Sequence, residues 1–210
     1  MINQLARFIV VLAAVAVTGC SSTSILSSEK AEGEGPINLQ GKQVVALVVH
    51  DDAEIRATAE DALAKSLTKR GMIGIAAHTF LSSDLITDKA KAKEAIKGSG
   101  AEGLVVVRVL DVEETTRYRS TATTPYQDDY YGSMMSYYAH GWSTVNSPGY
   151  LETIESYLIE TVCYRVSDEK RLWAGTSKSI NPASVKSLAK ELVKEAGKVM
   201  KQQGLIAAKN

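Results

Sequence analysis

The run Gln43-Val44-Val45-Ala46-Leu47-Val48-Val49 decides the fold. It is short, carries no charge and is rich in β-branched side chains, the pattern of a strand covered on both faces. Working outward, His50-Asp51-Asp52 follows, and then Ile55, Ala59, Ala62, Leu63, Ser66 and Leu67 recur at helical spacing. An Asp at the start of this run caps free backbone N–H groups, and Lys69-Arg70-Gly71 closes it. Residues 72–77 read as a second short strand and 87–97 as a weaker helix, with Ala92, Ala95 and Ile96 on one face. Gly98-Ser99-Gly100 stops that helix, and residues 104–112 read as a third strand. Strand–helix–strand–helix–strand in this order favours right-handed crossovers and parallel pairing.

Beyond residue 120 the pattern changes. Residues 120–149 lack strong periodicity and hold Pro125, Gly132, Gly141, Pro148 and Gly149. Residues 150–166 and 171–180 are strand-like, joined by the tight-turn sequence Ser167-Asp168-Glu169-Lys170. Asn181-Pro182 is expected to open the last helix, Asn as cap and Pro in the first turn. Its stripe of Val185, Leu188, Ala189, Leu192, Val193, Ala196, Val199 and Met200 faces a sheet, and its Lys and Glu residues face water. The reading is an α/β (α+β mixed) domain of βαβαβββα-like order, with a mixed sheet of about five strands and three helices. The domain spans 43–204, with a Tyr/Gly-rich insertion at 120–149 and a tail at 205–210.

The amino terminus has a separate task. A short start containing Arg7, an apolar run over residues 8–17 and a small-residue site describe a secretory signal. The run is too short for a bilayer span, which takes roughly 20 apolar residues. Val17-Thr18-Gly19-Cys20 resembles the lipobox of bacterial lipoproteins, in which the thiol takes lipid and becomes the first residue. Residues 1–19 are then a signal peptide and Cys20 the lipidation site. Residues 20–42, rich in Ser, Glu and Gly, are expected to be a flexible linker. Ser21 after the cysteine implies, by the same resemblance, sorting to the outer membrane; the expected location is its periplasmic face.

Three further features carry a second resemblance: the βαβα start, Gly100-Ala101-Glu102-Gly103 before the third strand, and Tyr164-Arg165-Val166-Ser167-Asp168-Glu169-Lys170-Arg171-Leu172-Trp173-Ala174-Gly175. They resemble the small periplasmic α/β domains of envelope lipoproteins, namely the DUF4136-type families, LpoB-like domains and TolB amino-terminal-like domains. The resemblance covers roughly residues 43–204. It implies a scaffold or binding role and carries no active-site residue across.

Composition narrows the functional classes. The 210 residues hold 24 Lys plus Arg against 24 Asp plus Glu. Without Arg7 the balance is 23 to 24, a formal charge of −1, so long-range attraction to nucleic acid is absent. Cys163 is the one cysteine besides Cys20 and lies in a strand pattern, where a buried inert thiol is expected. No phosphate-binding glycine loop and no Gly-x-Ser-x-Gly elbow occurs, so no catalytic residue, metal or cofactor is assigned. His50, Asp51 and Asp52 stand at the expected carboxyl end of the first strand, and His78 comes near them if the second strand is a parallel neighbour. That group is the basis of an alternative, a metal-dependent or hydrolytic enzyme. A simpler reading takes the aspartates as helix-start charges.

The unusual stretch is residues 124–150. It holds six of the nine tyrosines, Trp142, Met134 and Met135, and no Lys or Arg occurs from Ser120 to Tyr164. Tyr and Trp combine large contact area with a polar tip, which suits wet protein interfaces and sugar stacking. The expected function is a non-enzymatic, membrane-anchored envelope lipoprotein that binds a periplasmic protein or itself through Tyr130, Tyr131, Tyr137, Tyr138 and Trp142. A peptidoglycan- or glycan-binding module is the further alternative.

Overall fold

A computed structural model describes residues 22–120, 133–138, 142 and 149–206. Six strands form one mixed sheet: β1 (Ser22–Lys30), β2 (Gln43–Val49), β3 (Ile73–Ala76), β4 (Gly103–Ser120), β5 (Gly149–Arg165) and β6 (Arg171–Ile180). Their order across the sheet is β1-β6-β5-β4-β2-β3. β4, β2 and β3 are parallel, and β4, β5, β6 and β1 are successively antiparallel.

β2 is covered on both faces, as its sequence requires. Val44, Ala46 and Val48 pack with Leu63, Leu67, Leu192 and Val193 of α1 (Ala53–Thr68) and α4 (Val185–Gln202). Val45 and Leu47 pack on the opposite face with Leu81, which follows a 3-10 turn (Ala77–Thr79), and with Ala92, Ala95 and Ile96 of α3 (Lys89–Gly98). A short α2 (Ser83–Thr87) precedes α3 and has no counterpart in the sequence reading. The antiparallel half of the sheet is covered by α4 together with Ile37, Leu205 and Ile206, and Trp173 is fully buried against Ala196 and Met200. The Trp173 ring lies over Gly175, where a Cβ would come within 2.2 Å of it. This contact explains the residue pair Trp-x-Gly in physical terms.

The expected mixed α/β sheet is present, and five details of the reading are corrected. The sheet has a sixth strand, because residues 22–30, expected within the flexible linker, pair with β6 as β1. Residues 31–42 are docked as well: Glu34 is held by Arg165 and Lys170, and the Ile37 N–H donates to the Leu205 carbonyl. Short polar side chains hid β1, since an edge strand needs little apolar surface. The tail is part of the body up to Ile206, with Leu205 fully buried.

The last helix begins at Val185 and not at Pro182. Ser184 caps it in a reciprocal box with Ser187, while Asn181 takes a left-handed φ of 46° and exchanges hydrogen bonds with the Glu155 backbone. On α1 the buried stripe is Arg56, Glu60, Leu63 and Leu67, so Ile55 faces solvent.

Candidate functional site

β2 accompanies β4 only as far as Arg108, and β6 accompanies β5 only as far as Ser156. Past those points β4 and β5 pair with each other alone, out to Ser120 opposite Gly149. Seven residue pairs beyond Glu113–Ser156 project as a two-stranded ribbon of about 20 Å at the usual rise per residue. A register shift between Val109 and Asp111 marks where β4 leaves the shelter of β2. The ribbon is pinned by the Arg119–Glu152 ion pair at 2.6 Å and by the Gly149 N–H donating to the Tyr118 hydroxyl at 2.9 Å.

Its outward side chains are unusually apolar. Tyr118 (66% exposed), Tyr150 and Leu151 (70% exposed) face solvent on it, and Val109, Leu110 and Val112 are exposed on β4 just before it. A ribbon of two strands is marginally stable by itself, and large exposed apolar groups on such an arm mark an interaction surface. The ribbon leads into the Tyr-rich segment. Residues 134–138 are helical, with Met134 80% and Met135 63% exposed. Tyr137, Tyr138 and Trp142 are exposed too, and the Tyr138 and Trp142 rings meet edge to face with centroids 6.2 Å apart. Tyr130 and Tyr131 lie outside the described residues. Tyr118 and its apolar neighbours on β4 were not singled out by sequence reasoning. The only signal there was strand-like alternation fading into a polar run.

The alternative site at the end of β2 does not converge. Asp52 caps α1, its Oδ1 accepting from the Glu54 and Ile55 N–H groups at 2.8 and 3.0 Å, and these bonds hold its carboxyl below the usual range. His50 Nδ1 accepts from the Asp52 N–H and lies 3.2 Å from Asp51. His78 turns to Asp61, at 2.8 Å. No group of three His, Cys, Asp or Glu side chains that could hold a metal occurs among the described residues.

A different acid, Glu60, occupies the buried position there. Its carboxyl accepts from the Val48 N–H at 3.0 Å and the His78 N–H at 2.6 Å, tying the ends of β2 and β3 to α1. Burial pushes its pKa up, outweighing those hydrogen bonds and the nearby Arg56 charge. Cys163 packs beside Trp173 in β5, and burial pushes its thiol up to about 12, far from a nucleophile's range.

One positional relation bears on anchoring. Ser22, Ile180, Ser156 and Glu113 form one row across the sheet, and the ribbon projects beyond that row. Cys20 lies outside the described residues, two positions before Ser22. No helix of the described residues is long and apolar enough to cross a membrane.

No family model and no curated protein matches the chain. Among solved structures it is similar to a variant PelC dodecamer from Paraburkholderia phytofirmans, at 13% identity and a TM-score of 0.46 over 90% of this chain and 99% of that one. Lipoprotein GNA1162 from Neisseria meningitidis follows at 11% identity and a TM-score of 0.41, over 77% of this chain and 99% of that one. The hypothetical protein CT253 from Chlamydia trachomatis is similar at 12% identity and a TM-score of 0.37, over 78% and 90%.

Proposed function

We propose that this chain is a non-enzymatic lipoprotein of the bacterial envelope, anchored through lipid on Cys20. Its ribbon and Tyr-rich tip bind a protein partner, either another envelope protein or a second copy. The observation that carries this reading is the ribbon itself: seven strand pairs outside the sheet, with Tyr118, Tyr150 and Leu151 in solvent. Anchoring adds a constraint. The lipid-bearing residue and the ribbon share one end of the sheet, so the partner is met at the bilayer surface. Ser21 favours the outer membrane, and the periplasmic face is the orientation proposed.

The test is crosslinking in intact envelopes followed by purification. Replacing Tyr137, Tyr138 and Trp142 with Ala should remove a specific crosslinked band while the unfolding midpoint stays unchanged, because all three side chains are exposed. Bands identical to those of the unaltered protein would end the adaptor reading. Retention on purified peptidoglycan that depends on the same residues would replace it with the glycan-binding one.

A further inference from the structure

At the opposite end of the sheet from the ribbon stand the carboxyl-terminal turns of α1 and α4. Between them and the sheet lies an apolar cavity of about 80 Å³, walled by side chains such as Val44, Leu67, Val105, Leu192 and Met200. Space of this size and lining excludes water and accepts apolar groups. It shares Ile37, Leu39, Arg70, Met72, Gly197 and Ile206 with an outer cleft of about 530 Å³. The cleft has the opposite character. Lys69, Arg70, Lys194, Lys198 and Lys201 line it, and no carboxylate does. Lys194 and Lys198 pair with Glu195 nearby, whereas Lys69, Arg70 and Lys201 have no carboxylate partner among the described residues.

Gly197 is the second observation. It stands in the middle of α4, where Gly costs about 1 kcal/mol relative to Ala. Packing does not demand it: an added Cβ would meet only Arg70 Nε, at 3.7 Å. What its missing side chain leaves open is the passage between cleft and cavity, both of which it lines.

We infer that cavity and cleft together bind a single-chain anionic amphiphile. The end of its alkyl chain enters the slot between α1 and α4, and its carboxylate or phosphate is held by Lys69, Arg70 and Lys201. Apolar walls reward the chain by area removed from water, and unpaired cations at the mouth supply charge-assisted hydrogen bonds to the head. A fatty acid and a lysophospholipid share this chemistry.

The test uses the full exported chain carrying Cys20→Ser, in detergent-free buffer, with titration calorimetry and native mass spectrometry. Laurate, lauroyl-lysophosphatidylglycerol and uncharged dodecanol are the probes. One anionic ligand should bind per chain, with dodecanol at least about tenfold weaker, the worth of one charge-assisted hydrogen bond. Lys69→Glu with Lys201→Glu, both exposed positions, should weaken anion binding by a similar factor without moving the unfolding midpoint. Gly197→Leu should block binding of all three probes. Binding of laurate alone identifies a free fatty acid as the source, and binding of the lysophospholipid alone a membrane lipid. Equal affinity for laurate and dodecanol, unchanged affinity in the charge variant, or binding of neither anion overturns the inference.

Discussion

Glu60 has a consequence for stability that its place on a helix does not suggest. Its carboxyl is fully buried, and its pKa is raised above the ordinary carboxylate value. The folded state therefore holds this proton more tightly than the unfolded chain does. The contribution is fully present below the unfolded pKa and is lost as pH rises through the folded one. A Glu60→Gln variant should lack that downward slope above pH ~4.5 in urea unfolding. It should also lose roughly 1–3 kcal/mol, because the amide oxygen cannot serve both the Val48 and His78 N–H groups. Glu169 acts in the other sense. Lys93 and Lys97 hold its carboxyl at about 2, so its contribution is present above the unfolded value and falls away in acid. At Gly197, substitution by Ala should raise the unfolding midpoint by a few degrees, since it removes about 1 kcal/mol of backbone entropy cost at a position with room for a methyl group. For Cys20, mass spectrometry of the mature amino-terminal peptide should find acyl groups, and Cys20→Ser should release the protein from membranes.

At the scale of elements, legibility followed burial. β2 declared itself because seven uncharged residues in a row can only be satisfied by cover on both faces. α4 did so through its stripe, although its start was misplaced: Asn181 and Pro182 look like a helix opening, but the Asn181 side chain is committed to the Glu155 N–H. β1 was illegible for the opposite reason. Its residues Ser-Thr-Ser-Ile-Leu-Ser-Ser-Glu-Lys owe their extended form to the free edge of β6, a tertiary cause that no local pattern encodes. Of the candidate site, the aromatic composition of 124–150 was readable. The ribbon that presents it was not, because its strands continue past the point where burial imposes a pattern. Two element-scale outcomes follow. Deleting residues 22–30 should uncover the β6 edge and produce concentration-dependent association in sedimentation experiments. Gly74→Ala should cost about 1–3 kcal/mol, because its Cβ would press on the Ala64 carbonyl of α1 at 2.1 Å.

Across the whole molecule, two surfaces occupy the two ends of one sheet. The ribbon lies with the amino-terminal residue of β1, and the cationic cleft lies with the carboxyl ends of α1 and α4. Under the proposed anchoring at Cys20, the first would face the bilayer and the second would point away from it. On vesicles carrying the lipidated protein, a fluorophore at position 151 should be quenched by brominated lipids, and one at position 40 should not. Equal quenching at both positions would mean that the body has no fixed orientation.

The pairing of β1 with β6 also governs when this protein can finish folding. Thr23 hydrogen-bonds Ser179 and Glu191, partners 156 and 168 residues later in the chain, and Ile37 bridges to Ile206. A chain delivered across a membrane amino terminus first must hold its opening strand unpaired until almost the last residue has arrived. Contacts of such sequence separation form late, because the loop must close before they give any return. Under the proposed export and lipidation, the amino-terminal strand would stay unpaired and accessible while processing and acylating enzymes act on the cysteine just ahead of it.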